Sequence, residues 1–200
     1  MGIPRSAEKE FVEFILEDPG AEVAKVFEQR EREFLLAPVR VTMKTTTDEI
    51  EVGDLLLKKA NEGERLELPR WVAEELVELG LAEVQEEAFE VEIFKALTRE
   101  KILASPQLSP LEPSFYIRMR RRLAAVRLGV ERGKYRREDY DKLRTTSYDL
   151  IGRRLSKLLS MSSSASVKTI ADRITPEERA FFAMSSSISA AWKSALLGEQ

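Results

Sequence analysis

Apolar residues change their spacing twice along this chain, and that change is what most limits the fold. Over residues 6–36 the side chains Phe11, Phe14, Ile15, Val23, Val26, Phe27, Phe34 and Leu35 fall in two helical groups, with Asp18-Pro19-Gly20 between them. Two helices joined by a tight turn are predicted. At Val39 the period shortens: Val39, Val41 and Met43 alternate with Arg40, Thr42 and Lys44, the pattern of a half-buried strand. Residues 50–52, 55–58 and 65–68 read as further short strands, the last after the turn Asn61-Glu62-Gly63-Glu64. A helix over 69–79 follows, with Pro69 near its first turn, Val72, Leu76 and Leu79 on one stripe, and Gly80 placed to stop it. Leu81, Glu83 and Val84 then form a closing strand. A module of about fifty residues buries too little to be very stable unless it docks on something.

From Ala88 the helical period returns. Phe89, Ile93, Leu97 and Ile102 are read as one stripe, interrupted by Ser105-Pro106-Gln107-Leu108-Ser109-Pro110. Helices are predicted over 114–129 and 138–159, a serine-rich loop over 160–166 and a short helix over 167–173. The last helix opens with Thr175-Pro176-Glu177-Glu178, a capping box with proline in the first turn. Phe181, Met184, Ile188 and Trp192 share one of its faces. The expected class is α+β, in which a mainly α-helical domain (88–200) is preceded by a small β-rich domain (37–87) and an N-terminal helical arm (1–36).

Missing residue types narrow the chemistry. The chain has no Cys and no His, which removes disulfides, thiolate metal sites, cysteine nucleophiles and Ser-His triads. No glycine-rich phosphate cradle and no HExxH motif is present. The carboxylate pairs Glu74-Glu75, Glu86-Glu87, Asp139 with Asp141, and Glu177-Glu178 are expected to be solvated or to complement helix dipoles. No catalytic residue, metal site or cofactor is therefore expected. Charged residues reach 34%, which with no Cys and few Met points towards a thermophile. Residues 1–14 lack an apolar signal core, and no run approaches the ~20 apolar residues of a membrane span. A soluble intracellular protein is expected.

Net charge is only −3, but it hides an asymmetry. Residues 1–100 hold 25 acidic and 13 basic side chains, residues 101–200 hold 10 and 19. The basic half concentrates Arg118, Arg120, Arg121, Arg122, Arg127, Arg132, Lys134, Arg136, Arg137, Lys142 and Arg144. Two readings stay open: these cations pair with the acidic half or an acidic partner, or they neutralise nucleic-acid phosphates. The aromatics Trp71, Phe115, Tyr116, Tyr135, Tyr140, Tyr148 and Trp192 lie at helical core spacings, so core or subunit interface is expected rather than base stacking.

Three segments resemble subunits of the GINS DNA replication complex, in the class whose small β domain comes first. Leu66-Glu67-Leu68-Pro69-Arg70-Trp71-Val72-Ala73 is similar to the signature joining the small domain's strand to its helix, with Leu68, Pro69, Trp71 and Ala73 as its markers. Pro110-Leu111-Glu112-Pro113-Ser114-Phe115-Tyr116 resembles the proline-bracketed lead into the helical domain, and Asp149 with Arg154, Lys157 and Leu158 resembles a family helix. Thr175 to Glu178 is similar to the start of the last family helix. Residues 1–36 have no counterpart in this pattern.

The resemblance implies a non-catalytic scaffold. Four subunits assemble, two copies each of two chains in archaea, and bridge the MCM helicase to a Cdc45 or RecJ-like partner at the replication fork. This chain looks like the archaeal subunit similar to the second and third eukaryotic partners, acting in the cytoplasm at the chromosome, or in the nucleus if eukaryotic. By itself it is expected to bind DNA only weakly, with no membrane contact. The alternative is a nucleic-acid-binding regulator using the basic helices of residues 118–144.

Overall fold

The computed structural model describes residues 19–53, 55–104, 107–162 and 170–198. The predicted helix around Phe11, Phe14 and Ile15, the loop positions Ser105 and Pro106, and residues 163–169 of the serine-rich loop and short helix lie outside the described residues. The fold is α+β, with small antiparallel sheets preceding a set of packed helices.

Helix α1 runs Pro19–Leu36. Pro19 and Gly20, read as a turn, instead form its opening, where proline lacks only an amide that no helix satisfies there. Strand β1 (Pro38–Met43) is the middle of a three-stranded sheet, flanked by β4 (Arg65–Pro69) and β5 (Ala82–Val84). Its alternation is real burial: Val39, Val41 and Met43 face the core. Val41 is opposite both Leu66 and Val84, so the most deeply buried position of the strand is held from two sides. Strands β2 (Ile50–Val52) and β3 (Leu55–Leu57) make a separate hairpin. At its turn Gly53 has φ +58°, and a Cβ there would come within 3.1 Å of the Trp71 ring. Only glycine fits both requirements.

Helix α2 (Arg70–Glu78) lays Val72, Ala73 and Leu76 on the sheet. The expected third contact, Leu79, is 61% exposed. It is the residue at which the helix ends, ahead of Gly80 at φ +74°, so its side chain has turned off the stripe.

Four longer helices follow: α3 (Phe89–Ile102), α4 (Phe115–Glu131), α5 (Arg137–Ser162) and α6 (Pro176–Leu197), with a 3₁₀ turn at Ala171–Arg173 before the last. Helix α5 spans about 39 Å at 1.5 Å per residue and packs against α3, α4 and α6. Its buried residues Leu143, Ser147, Leu150, Arg154, Lys157 and Met161 alternate steps of four and three, the seam expected of a helix enclosed by neighbours. Phe89, Ile93, Leu97, Phe115, Tyr116 and Leu150 belong to one core, and Leu108, Leu158, Ile174 and Phe182 to a second. No helix among the described residues is long and apolar enough to cross a membrane.

Two expected stripes are redrawn. On α3, Ile102 is 77% exposed and Glu100 is buried, because the four-three rhythm from Phe89 through Ile93 and Leu97 arrives at position 100, not 102. On α6 the fully buried side chain is Phe182. Phe181 and Met184 are half-buried, and Ile188 and Trp192 are exposed.

Candidate assembly surface

A buried charge network locks the bundle that would present any such surface. The Arg154 guanidinium on α5 has no exposed surface. It donates from Nε and Nη2 to the two carboxylate oxygens of Glu178 at 2.5 and 2.7 Å, and from Nη1 to Glu100 Oε2 at 3.0 Å. Its remaining hydrogens reach the carbonyls of Ser109 and Arg173 at 2.8 and 3.0 Å. One turn on, Lys157 donates to Glu100 Oε1 at 2.6 Å and to the carbonyls of Glu100, Leu103 and Gln107. Tyr116 completes the cluster by donating to Glu178 at 2.7 Å. Two buried cations thus face two buried carboxylates and every polar group is used, the condition under which burying charge is tolerated.

The titration of these groups follows from that geometry. Burial opposes charge on Glu100, but hydrogen bonds from Lys157 and Ser109, with the charge of Arg154, more than offset it and hold the carboxyl below the usual carboxylate range. Burial and the Glu178 charge push the Tyr116 phenol well up. A carboxylate whose folded pKa is depressed stabilises the fold above its unfolded value and loses that contribution as pH falls through the folded one. The melting temperature is therefore expected to drop below about pH 4.3, the ordinary glutamate value. Glu100→Gln is expected to start lower and fall less steeply between pH 5 and 3, as thermal circular dichroism would read.

The site residues anticipated from the sequence separate into distinct places. Tyr116, Arg154 and Lys157 meet in the network, and Leu158 is buried beside it in the second core. Phe115 packs against Phe89 with ring centroids 5.3 Å apart. Asp149 does not join them: it is exposed, and Arg154 pairs with Glu100 and Glu178 instead. Asp149 lies off the buried seam, while Arg154 lies on it. Glu177 and Glu178, expected to be solvated or to complement the helix dipole, stand in the first turn of α6 and are buried. Pro113 supplies a carbonyl to Arg30 of α1 at 2.9 Å, and Ser114 is the residue before α4. Leu68, Pro69, Trp71 and Ala73 belong to the sheet and its helix, away from the network.

The arginine run also divides. Arg118 pairs with Glu92, Arg121 with Glu31 and Glu74, and Arg122 with Glu90. Arg70 pairs with Glu86, and Phe34 of α1 has the Arg70 and Arg121 guanidiniums 4.2 and 5.5 Å from its ring centre. These contacts tie the β region and α1 to α4, so the opposite charges of the two halves meet within one chain. Arg136 and Arg137 pair locally with Asp139 and Asp141. Lys134 stands over the Tyr135 ring. Arg120 and Arg127 make no ion pair among the described residues.

Partly exposed pairs contribute modestly one by one, about 0.2–1 kcal/mol. Arg121→Met is therefore expected to lower stability by no more than about 1–2 kcal/mol. It is also expected to speed protease cutting near residues 85–88, an effect expected of the parent chain only at high salt.

Beyond this network the bundle leaves apolar surface uncovered. Between α1, α4, α5 and α6 lies an open groove of about 730 Å³ whose walls include Val23, Phe27, Met119, Leu123, Phe181 and Met184. Where α6 passes beyond it, Ile188, Trp192, Leu196 and Leu197 are 62–70% exposed. Steps of four from Ile188 through Trp192 to Leu196 put one apolar stripe along the outer half of the helix. Of the two places expected for the aromatics, core or subunit interface, the core does not hold Trp192 or Tyr148, the latter 78% exposed. Sequence reasoning missed Glu100, Ser109 and the groove. The signal for Glu100 was its position on the α3 stripe, whereas Ser109 and the groove depend on contacts between distant segments.

The described residues contain no group of three or more His, Cys, Asp or Glu able to hold a metal ion. No curated protein matches the sequence. A family model, Sld5: GINS complex protein helical bundle domain, matches residues 88–197, just over half of the chain and the whole stretch from α3 to α6. A bundle locked by buried charge, with apolar surface left over for assembly and matching that domain along its length, makes this chain a member of the GINS family of DNA replication complex subunits.

Proposed function

We propose that the chain is a structural, non-catalytic subunit of a GINS complex, which joins sister subunits into a two-plus-two heterotetramer. The complex activates the MCM helicase together with a Cdc45 or RecJ-like partner at the replication fork. Its units are the arm of residues 1–36, the β-rich domain 37–87 and the helical domain 88–200. One observation carries the reading: the helices that match the GINS bundle domain leave the stripe Ile188-Trp192-Leu196 exposed, with no described residue covering it. Exposed apolar stripes of this length mark association surfaces. A chain without Cys or His is poorly equipped for catalysis, and its charged composition suits an archaeal thermophile.

Light scattering during size-exclusion chromatography tests this, on the chain alone and co-expressed with the sister GINS subunit from the same source. A particle of about four chains that forms only with the sister is expected. A monomer that ignores the sister overturns the proposal.

DNA contact is the second reading, and it is favoured by Arg132, which is exposed and makes no ion pair among the described residues. Arg118, Arg121 and Arg122 are engaged with carboxylates, which leaves few free cations for phosphates. Weak binding to duplex DNA that vanishes as salt rises is the expected result for the lone chain.

A further inference from the structure

We infer that the groove between α1, α4, α5 and α6 receives one helix of the sister subunit, apolar along its buried face, basic at one inner position and acidic along its rim. This rests on the family assignment and the proposed scaffold role, and adds the chemistry of the segment that docks.

Three features of the groove specify its occupant. Its walls are apolar, and half-buried Phe181 and Met184 continue the stripe that runs out along α6, so a helix lying there would cover both in one pass. An amphipathic helix laid in an apolar groove is a recurrent mode of recognition. At the inner wall sits Glu177. Arg30 Nε donates to its Oε1 at 3.3 Å, while its Oε2 is buried with no hydrogen-bond partner among the described residues, on a side chain only 5% exposed. A buried carboxylate oxygen without a donor is costly, and a Lys or Arg on the incoming helix supplies the missing donor. At the rim stand Arg120 and Arg127, both exposed and with no ion pair among the described residues, although every other arginine from 118 to 122 is paired. Arg120 leans over Phe27, 5.9 Å from its ring centre, at the edge of the groove. Two free cations flanking an apolar floor select acidic residues on the occupant's outer edges.

A second copy packed groove to groove is a poorer fit, because its rim would meet like charge at the same two arginines. The acidic segment of residues 1–18, with Glu10, Glu13 and Glu17, is the competitor within the chain.

The test uses the full chain with the sister subunit. In the double substitution Arg120→Glu/Arg127→Glu, thermal melting of the lone chain is expected to be unchanged. Affinity for the sister is expected to fall at least tenfold, and its dependence on salt to flatten, as isothermal titration at 50 and 300 mM salt would read. Ala124→Trp, which blocks the groove without touching a charge, is expected to weaken association at every salt concentration. Assembly that survives both substitutions with unchanged affinity overturns the inference while leaving the scaffold role standing, because the sister would then bind elsewhere. Removal of residues 2–18 that lowers the melting temperature of the lone chain as much as Ala124→Trp does, and leaves sister affinity unchanged, also overturns it, since the chain's own leading segment would then be the occupant. Absence of any complex with the parent chain removes the scaffold role and the inference together.

Discussion

Arg154→Met is expected to destabilise the chain by about 3–5 kcal/mol, because it leaves two buried carboxylates facing each other across a missing cation. For a chain of this size that is a fall of roughly 10 °C or more in the melting temperature. The guanidinium is irreplaceable for a geometric reason. Its planar fork satisfies Glu100, Glu178 and the carbonyls of Ser109 and Arg173 at once, whereas an ammonium has three donors at one point. Arg154→Lys is therefore expected to recover less than half of the loss. Arg154→Met combined with Glu178→Gln is expected to melt higher than Arg154→Met alone, since one stranded charge is removed. A single substitution melting within a degree of the parent would show that the network contributes nothing to stability.

The second large effect concerns association and not folding. Ile188→Asp/Trp192→Asp is expected to leave the melting of the lone chain nearly unchanged, since both side chains are more than 60% exposed and touch little. The same pair is expected to weaken assembly with the sister subunit about a hundredfold or more, because aromatic and large apolar side chains at the centre of an interface each contribute 2 kcal/mol or more. Sedimentation of the mixed subunits separates the cases. An unaltered complex would mean that the outer half of α6 remains in solvent in the assembled state. A collapse of lone-chain stability would mean that the stripe belongs to the fold.

Much of the architecture is legible in the residues themselves. The alternation from Val39 to Met43, the stop at Gly80 and the capping box at Thr175 are local statements, each written within a few neighbouring residues, and each appears where local chemistry puts it. The GINS family was legible through short segments, and those between Pro110 and Glu178 lie within residues 88–197, which the family model matches. Charge on a buried seam was less legible. Asp149, Arg154 and Lys157 sit at spacings that suit surface ion pairs, and the usual expectation is that arginine and lysine face water. Position on the heptad of α5 decided otherwise: Arg154 follows Leu143, Ser147 and Leu150 in steps of four and three, and Asp149 does not.

Charge pairing over long separations was legible only as totals. An acidic half and a basic half predict that something pairs, but nothing local tells that Arg121 reaches Glu31 and Glu74, 90 and 47 residues away, while Arg120 beside it reaches no carboxylate among the described residues. That difference arises because neighbouring residues on a helix point about 100° apart. The groove is likewise a property of four elements from both ends of the chain, so no window of sequence contains it.

The network also bears on the order in which the molecule is made. Arg154 lies 54 residues from Glu100 and 24 from Glu178, so neither carboxylate can be reached until α3 and α6 have closed on α5. Local helices and apolar contacts must bring the chain most of the way before these bonds exist. The cluster is therefore expected to act as a latch that engages late in folding, felt mainly in the rate at which the bundle comes apart. For a subunit whose outer helix carries uncovered apolar surface, slow opening has a direct benefit: the chain keeps its shape while it waits for a sister.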